Sequence, residues 1–376
     1  MTEAKVYTKH HSFRNFVTLL NSDAEQQKKR VLHILQTSKE AKSEIINSVI
    51  EGLASTQEHK DFDITPFIAD ELSKIEDKDV SRYMTHRYRY DVYPKQKKLD
   101  NYPPYIQIEP TSVCNYRCVF CYQTDADFTA KSNGHMGAMT LGLFKEIVDQ
   151  ISGKIEFLSL ASRGEPLLCK EIDQMLKYCS GKFLGLKLNT NASMLNEEHC
   201  HAILSGGVNT VVFSADAATE PLYSQLRVKG SLQKVLDNIK LFQSIRKKHY
   251  SQRKIIARVS GVKYGNDQDM DSMVDLWGGL VDQVSFVAYN PWENVYTASL
   301  KNINTPCSDL WRRMFVWFDG KVNPCDTDYK STLSVGTIQQ NSVPQLWRSE
   351  AYSKIRESHL NNKRGCVNPC QRCTVV

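Results

Sequence analysis

From Tyr105 onward, short apolar runs alternate with longer stretches whose apolar residues recur at helical spacing. The runs predict strands at Tyr105–Glu109, Ile155–Leu160, Gly185–Leu188, Thr210–Ser214, Ile255–Val259 and Val284–Ala288. The stretches between them predict helices at Leu141–Ile151, Lys170–Cys179, Glu197–Leu204, Leu232–Lys247 and Met270–Leu280. Alternation of this kind gives repeated βα units and a parallel sheet. Six units over about 185 residues suit an open, partial barrel better than a closed eight-stranded one.

Both flanks differ from this pattern. Residues 1–100 are polar, with candidate helices at Ser12–Leu20, Glu25–Gln36 and Ser38–Leu53; the last is amphipathic through Ile45, Ile46, Val49, Ile50 and Leu53, and no strand pattern is visible. A basic, aromatic stretch carrying Arg82, Arg87, Arg89, Lys95, Lys97 and Lys98 runs up to Pro103-Pro104, which marks a boundary. It is either a solvated linker or a seat for a phosphorylated or nucleotide-linked sugar. Beyond the barrel, Met314–Phe318, Asp319-Gly320 and Lys321–Asn323 predict a hairpin with a DG turn, and Val343–Leu360 predicts a helix. The expected fold is α/β: a partial (β/α)6 TIM-like barrel at 101–300, an N-terminal helical extension at 1–100, and a small C-terminal α+β module at 301–376.

Composition narrows the function classes. Hydrophobic residues are 41% and charged residues 24%, ordinary for a folded globular chain. Lys+Arg 48 against Asp+Glu 42 leaves a net charge of +6, dispersed along the sequence, so no nucleic-acid partner is expected. No stretch approaches the ~20 apolar residues of a membrane span, and the first residues lack the apolar core of an export signal. A cytoplasmic protein with no membrane partner is expected. The 11 cysteines are an odd count without an export signal, which argues against a disulfide framework.

Eight of those cysteines fall in two groups. Cys114, Cys118 and Cys121 form a C-x3-C-x2-C triplet in the loop after the first predicted strand. Three thiolates hold three corners of a cubane, whereas structural zinc wants four closed ligands. An iron left open there would coordinate a small molecule at the end of a barrel strand. Structural zinc or buried free thiols are the alternatives. Cys307, Cys325, Cys370 and Cys373 offer a complete set of four thiolates for an auxiliary cluster, with Cys366 to spare; a zinc ribbon stays open for this group. Cys169, Cys179 and Cys200 fall in or beside barrel helices and are expected to be core thiols.

On these residues the chain resembles the radical S-adenosylmethionine (SAM) superfamily. The triplet follows strand one, with Phe120 before its third cysteine and Tyr122 after it, and Arg163-Gly164-Glu165-Pro166 follows strand two. That tetrad is similar to the family's GGEP motif, with Arg163 in place of the first glycine. The resemblance implies a [4Fe–4S] cluster on Cys114, Cys118 and Cys121, and SAM held by Tyr122, Gly164 and Glu165. Asn189, Ser214 and Arg258, with Asn191 and Asp216, occupy strand-end positions where similar enzymes contact SAM. The hairpin and helix beyond the barrel resemble the SPASM/Twitch extension, and five cysteines suit the shorter Twitch form with one auxiliary [4Fe–4S] cluster, making two clusters in all.

The implied activity is that of an oxidoreductase. SAM is cleaved reductively to a 5′-deoxyadenosyl radical, a substrate hydrogen is abstracted, and the auxiliary cluster accepts an electron. A carbohydrate-like or aminocyclitol alcohol is the implied substrate, and a reductant such as flavodoxin or ferredoxin the implied partner. A peptide maturase, an epimerase using a thiol such as Cys366, and a zinc-binding interaction protein are the alternatives. No residue presents itself as the catalytic base.

Overall fold

The computed structural model describes residues 13–20, 22–38, 43–55 and 62–376. Its strands in chain order are β1 (Phe13–Thr18), β2 (Tyr105–Ile108), β3 (Arg117–Cys118), β4 (Phe157–Leu160), β5 (Gly185–Thr190), β6 (Thr210–Ser214), β7 (Arg227–Val228), β8 (Ile256–Lys263), β9 (Gln283–Ala288), β10 (Arg313–Val316), β11 (Lys321–Asn323) and β12 (Gly336–Thr337). The run β2-β4-β5-β6-β8-β9 is parallel throughout, in the order the sequence predicts. Helices Leu141–Ile151, Ile172–Cys179, Glu197–Ser205, Leu232–His249 and Met270–Trp277 connect these strands. They exist because each carries an apolar stripe to bury; in the first, Phe144, Ile147, Val148 and Ile151 are all buried. The sheet is open at both ends, as a partial (β/α)6 barrel requires. A short helix at Glu220–Leu226 has no counterpart in the sequence reading, since seven residues are too few to show a period.

The N-terminal region departs from expectation. Ser12–Leu20 is not a helix: residues 13–18 form β1, antiparallel to β9, with Phe16 opposite Ser285 and Val17 opposite Val284. An open barrel edge offers unpaired backbone groups, and covering them outweighs the weak helical spacing of this segment. The next two helices are Ala24–Thr37 and Glu44–Ala54, and residues 39–42 lie outside the described ones. Val31, Val49, Leu53, Ile68, Leu72, Tyr83 and Met84 form a core of their own that packs on Phe157 and Leu184, at or just before the starts of β4 and β5. His86 stacks on Phe157 with ring centroids 4.0 Å apart. The extension therefore caps the N-terminal mouth of the barrel.

The basic stretch is not a linker. Its arginines lie in the helix Val80–Asp91 and are paired: Arg82 with Glu156 at 2.6 Å, Arg87 with Asp91 at 2.9 Å, Arg89 with Asp100 at 2.7 Å; Lys95, Lys97 and Lys98 follow that helix, and Lys95 and Lys98 are exposed. The C-terminal region is continuous with the barrel. β10 lies parallel to β2 and extends the same sheet, and β11 and β12 follow antiparallel. The predicted helix 343–360 is broken in two, Val343–Trp347 and Glu350–Leu360, because the Ser349 hydroxyl accepts the Tyr352 N–H at 3.2 Å and starts a new N-terminus. Among the described residues no helix is long and apolar enough to cross a membrane.

Removing residues 1–20 uncovers the β9 edge. The truncated protein is expected to self-associate in light scattering at concentrations where the full chain stays monodisperse; unchanged scattering would show that β1 does not protect the edge.

Candidate active site

The triplet loop leaves the C-terminal end of β2, the barrel face where such folds place their chemistry. Its middle is pinned by a two-residue ribbon in which β3 pairs with β7, Cys118 facing Arg227. The Cys121 N–H donates to the Cys118 carbonyl at 3.0 Å. All three cysteines line one cavity of about 970 Å³, together with Tyr122, Ser162, Gly164, Glu165, Asn189 and Ser214. Burial pushes the Cys114 thiol up to about 12 and raises Cys118 and Cys121 as well, so these thiols need a bound cation to ionise at neutral pH.

Each residue of the tetrad has a distinct part. A Cβ at Gly164 would stand 2.3 Å from the Thr111 carbonyl oxygen and 2.5 Å from that of Val113, so only glycine lets this turn lie against the cysteine loop. The Glu165 N–H then bonds the Val113 carbonyl at 2.9 Å. The Glu165 carboxylate is buried and accepts from the Thr190 hydroxyl and the Asn191 N–H, both at 2.6 Å, and from the Leu167 N–H at 3.1 Å. Burial raises it from the usual carboxylate range despite these bonds. Arg163 turns away from this network: its guanidinium clasps Glu109 through Nε at 2.7 Å and Nη2 at 2.6 Å, donates to the Tyr329 carbonyl at 2.8 Å, and lies 4.2 Å from the Trp317 ring centroid.

The other expected contacts divide. Tyr122 lines the cavity and donates through its hydroxyl to the Ser162 carbonyl at 3.0 Å. Asn189 and Ser214 also reach the cavity, and the buried Oδ1 of Asn189 and Oγ of Ser162 have no hydrogen-bond partner among the described residues. Asn191 is committed to the loop, its amide donating to Asn115 Oδ1 at 3.0 Å. Asp216 accepts the Val262 N–H at 2.6 Å and pairs with Arg227, whose Nη1 lies 3.9 Å from Cys118 Sγ. Arg258 is not brought to the cysteine loop. It lines the same cavity, but its Nε donates to Gln283 at 2.7 Å and its guanidinium sits 4.9 Å from the Phe67 ring centroid, among the N-terminal elements. Arg227, which sequence reasoning missed, is a cation beside the cysteines, together with Arg117 of the loop itself, whose guanidinium donates to the Cys114 carbonyl at 2.9 Å; the place of Arg227 depends on the β3–β7 pairing, which no local pattern announces.

Cys307, Cys325, Cys370 and Cys373 line a second, small cavity, with His359 and Arg364. The Arg364 guanidinium ties this loop together by donating to the carbonyls of Thr305, Cys373 and Val375, each at 2.8 Å. Cys366 is exposed and does not line it. Cys169, Cys179 and Cys200 are buried in the barrel core. Among the described residues no three His, Cys, Asp or Glu side chains are already arranged to hold an ion; the two cysteine sets surround cavities instead. One apolar cluster touches both sets, with Tyr122, Phe128 and Tyr329 at its centre and Cys121 and Cys373 packed against it.

Residues 108–276 match the radical SAM superfamily, and residues 307–374 match SPASM, an iron-sulfur cluster-binding domain. The chain belongs to the radical SAM superfamily and carries a C-terminal SPASM domain. The S-adenosyl-L-methionine-dependent 2-deoxy-scyllo-inosamine dehydrogenase of Niallia circulans is 21% identical over 276 residues, 72% of this chain and 92% of that one. Among solved structures, BtrN in complex with AdoMet and 2-DOIA aligns at a TM-score of 0.50 and 17% identity, covering 72% of this chain and 93% of the other. Streptococcus suis SuiB bound to S-adenosylmethionine aligns at 0.54 and 14%, covering 79% and 77%. Both show the same fold.

The cofactors of this radical SAM enzyme are SAM and [4Fe–4S] clusters. The residues present fit them: three thiols, one buried and two half-buried, that line a large cavity, a glycine turn whose backbone any side chain would obstruct, and polar atoms at Asn189 and Ser162 without a partner among the described residues.

Two substitutions test this geometry. Gly164→Ala is expected to displace the cysteine loop and abolish SAM binding in equilibrium dialysis; wild-type binding would contradict the close-packed turn. Arg163→Met leaves Glu109 buried without its cation and should cost about 3–5 kcal/mol in denaturant unfolding; a loss below 1 kcal/mol would show the pair is dispensable.

Proposed function

We propose that this enzyme is an oxidoreductase that removes two electrons from a small carbohydrate-like alcohol, using clusters on Cys114, Cys118 and Cys121 and on Cys307, Cys325, Cys370 and Cys373. The observation that carries this reading is the aromatic joint between the two cysteine sets. Tyr122, next to Cys121, stacks on Tyr329 with ring centroids 4.9 Å apart, and Tyr329 bonds Asp125 at 2.7 Å and the Glu293 carbonyl at 3.0 Å. A packed, water-excluding contact of this kind suits passage of an electron from the barrel to a second centre. Similarity to a 2-deoxy-scyllo-inosamine dehydrogenase over most of that relative's length supports the substrate class.

Cys114, Cys118 and Cys121 would hold the cluster at which SAM, when bound, would supply hydrogen-abstracting chemistry, and Cys307, Cys325, Cys370 and Cys373 would hold a cluster that would supply an acceptor for the remaining electron. The chain's task is positioning. Gly164 lets backbone approach the cofactor, Glu165 and Asn189 present polar atoms to it, and Tyr122 closes the wall toward the C-terminal domain. Arg227 places a positive charge beside Cys118, which favours the thiolate form needed for iron. A peptide maturase is the second reading, favoured by the likeness to SuiB, which was also solved with its precursor peptide SuiA.

The test is anaerobic incubation of the reconstituted full chain with dithionite, SAM and 2-deoxy-scyllo-inosamine. The reading predicts 5′-deoxyadenosine and a ketone formed together. In a Cys370→Ala/Cys373→Ala variant, 5′-deoxyadenosine formation should persist while the ketone falls at least tenfold. Ketone at the wild-type rate in that variant would contradict the acceptor role.

A further inference from the structure

The cavity continues from the cysteine loop down to the N-terminal mouth of the barrel, and the chemistry above makes no use of that lower part. Strand register sets Gln107 of β2, Ser159 of β4, Lys187 of β5 and Thr210 of β6 side by side. Barrel interiors are filled mainly by branched apolar residues. A polar layer in their place costs free energy unless its groups find partners. Here some do not. Lys187, Arg258 and Arg313 all line the cavity. Arg313 directs both Nε and Nη2 at a single hydroxyl, that of Tyr90. Among the described residues Lys187 makes no hydrogen bond or ion pair. The cap also brings carboxylates: Asp63, Glu71 and Asp91 line the cavity, Tyr83 donates to Glu71 at 2.6 Å, and the Gln283 amide donates to Asp70. Arg87 and Asp91 neutralise each other at 2.9 Å, and burial keeps His86 uncharged.

We propose that this lower chamber is an anion site, in which Lys187, Arg258 and Arg313 hold a phosphate or carboxylate group of the substrate while its reacting carbon lies toward the cysteine loop. The orientation of the substrate rests on the radical SAM reading; the anion site itself does not. With a rise of about 3.3 Å per residue, Lys187 and Asn189 stand about 7 Å apart along β5, so one small molecule spans both ends. Burial and the repulsion of Arg313 and Arg258 push Lys187 down to about 7, against the weaker pull of Glu71, and burial holds Arg258 at about 10. An entering anion reverses that repulsion, so Lys187 takes up a proton as the anion binds.

The test is calorimetric titration of sulfate and of acetate into the full-length holoprotein at pH 7.5, in two buffers of different protonation enthalpy. At least one anion should bind with proton uptake. Lys187→Met should weaken that binding at least tenfold and remove the proton uptake, and Lys187→Arg should restore binding. Lys187→Met should also melt no lower than wild type, because it removes an amine that burial and neighbouring cations disfavour in the charged form and that makes no hydrogen bond or ion pair among the described residues; this separates lost binding from lost folding. Tighter sulfate indicates a phosphate-type substrate and tighter acetate a carboxylate. Absence of binding by either anion, or equal binding by wild type and Lys187→Met, would overturn the proposal. Neither SAM nor reductant is present, so the result stands apart from whether the radical chemistry is right.

Discussion

A buried ion pair joins the two halves of this enzyme. Glu109 stands just past β2 and Arg163 just past β4, so their clasp bridges adjacent strands at the barrel's C-terminal face. The same Glu109 carboxylate accepts the Phe318 N–H at 3.3 Å and the same guanidinium reaches the Tyr329 carbonyl, both in the C-terminal region. Desolvating two charges is costly, and the pair is tolerable because nearly every donor and acceptor on it is used. Arg163 opens the tetrad Arg163-Gly164-Glu165-Pro166, where the GGEP motif that the tetrad resembles has its first glycine. Gly164 lets the turn lie against the cysteine loop, and Arg163 fastens the barrel to the C-terminal domain.

That fastening places the rest of the site. With the hairpin drawn onto β2, the sheet runs without interruption from β1 through the barrel to β12. The aromatic cluster of Tyr122, Phe128 and Tyr329 fills the angle between the triplet loop and the C-terminal loops, and each cysteine set meets one side of it. At the opposite mouth the N-terminal helices close the barrel and β1 covers its free edge. One long cavity results, with thiols and orphaned polar atoms at one end and a cluster of cations at the other.

What could be read from the sequence was what depends on local spacing. The six parallel strands announced themselves as apolar runs, and the cysteines grouped by distance along the chain. What could not be read depends on partners distant in sequence. β1 is a strand only because β9 needs an edge partner. Arg227 meets Cys118 only because β3 and β7 pair across 109 residues. Arg258 shows the limit of strand-end reasoning: it lies early in β8, its Nε donates to Gln283 and its guanidinium lies over Phe67 of the cap, away from the cysteine loop. Lys187 gave no signal at all, since a lysine in an apolar run is ordinarily a surface residue.

The proposed function requires a [4Fe–4S] cluster on each of the two cysteine sets. Iron and sulfide should be counted in anaerobically prepared wild type, in a Cys114/Cys118/Cys121→Ala variant, and in a Cys307/Cys325/Cys370/Cys373→Ala variant. The account predicts about eight iron atoms per chain in the first and about four in each variant, with sulfide in equal number. Four irons in wild type that vanish with the triplet, or zinc in place of iron at the C-terminal set, would contradict it.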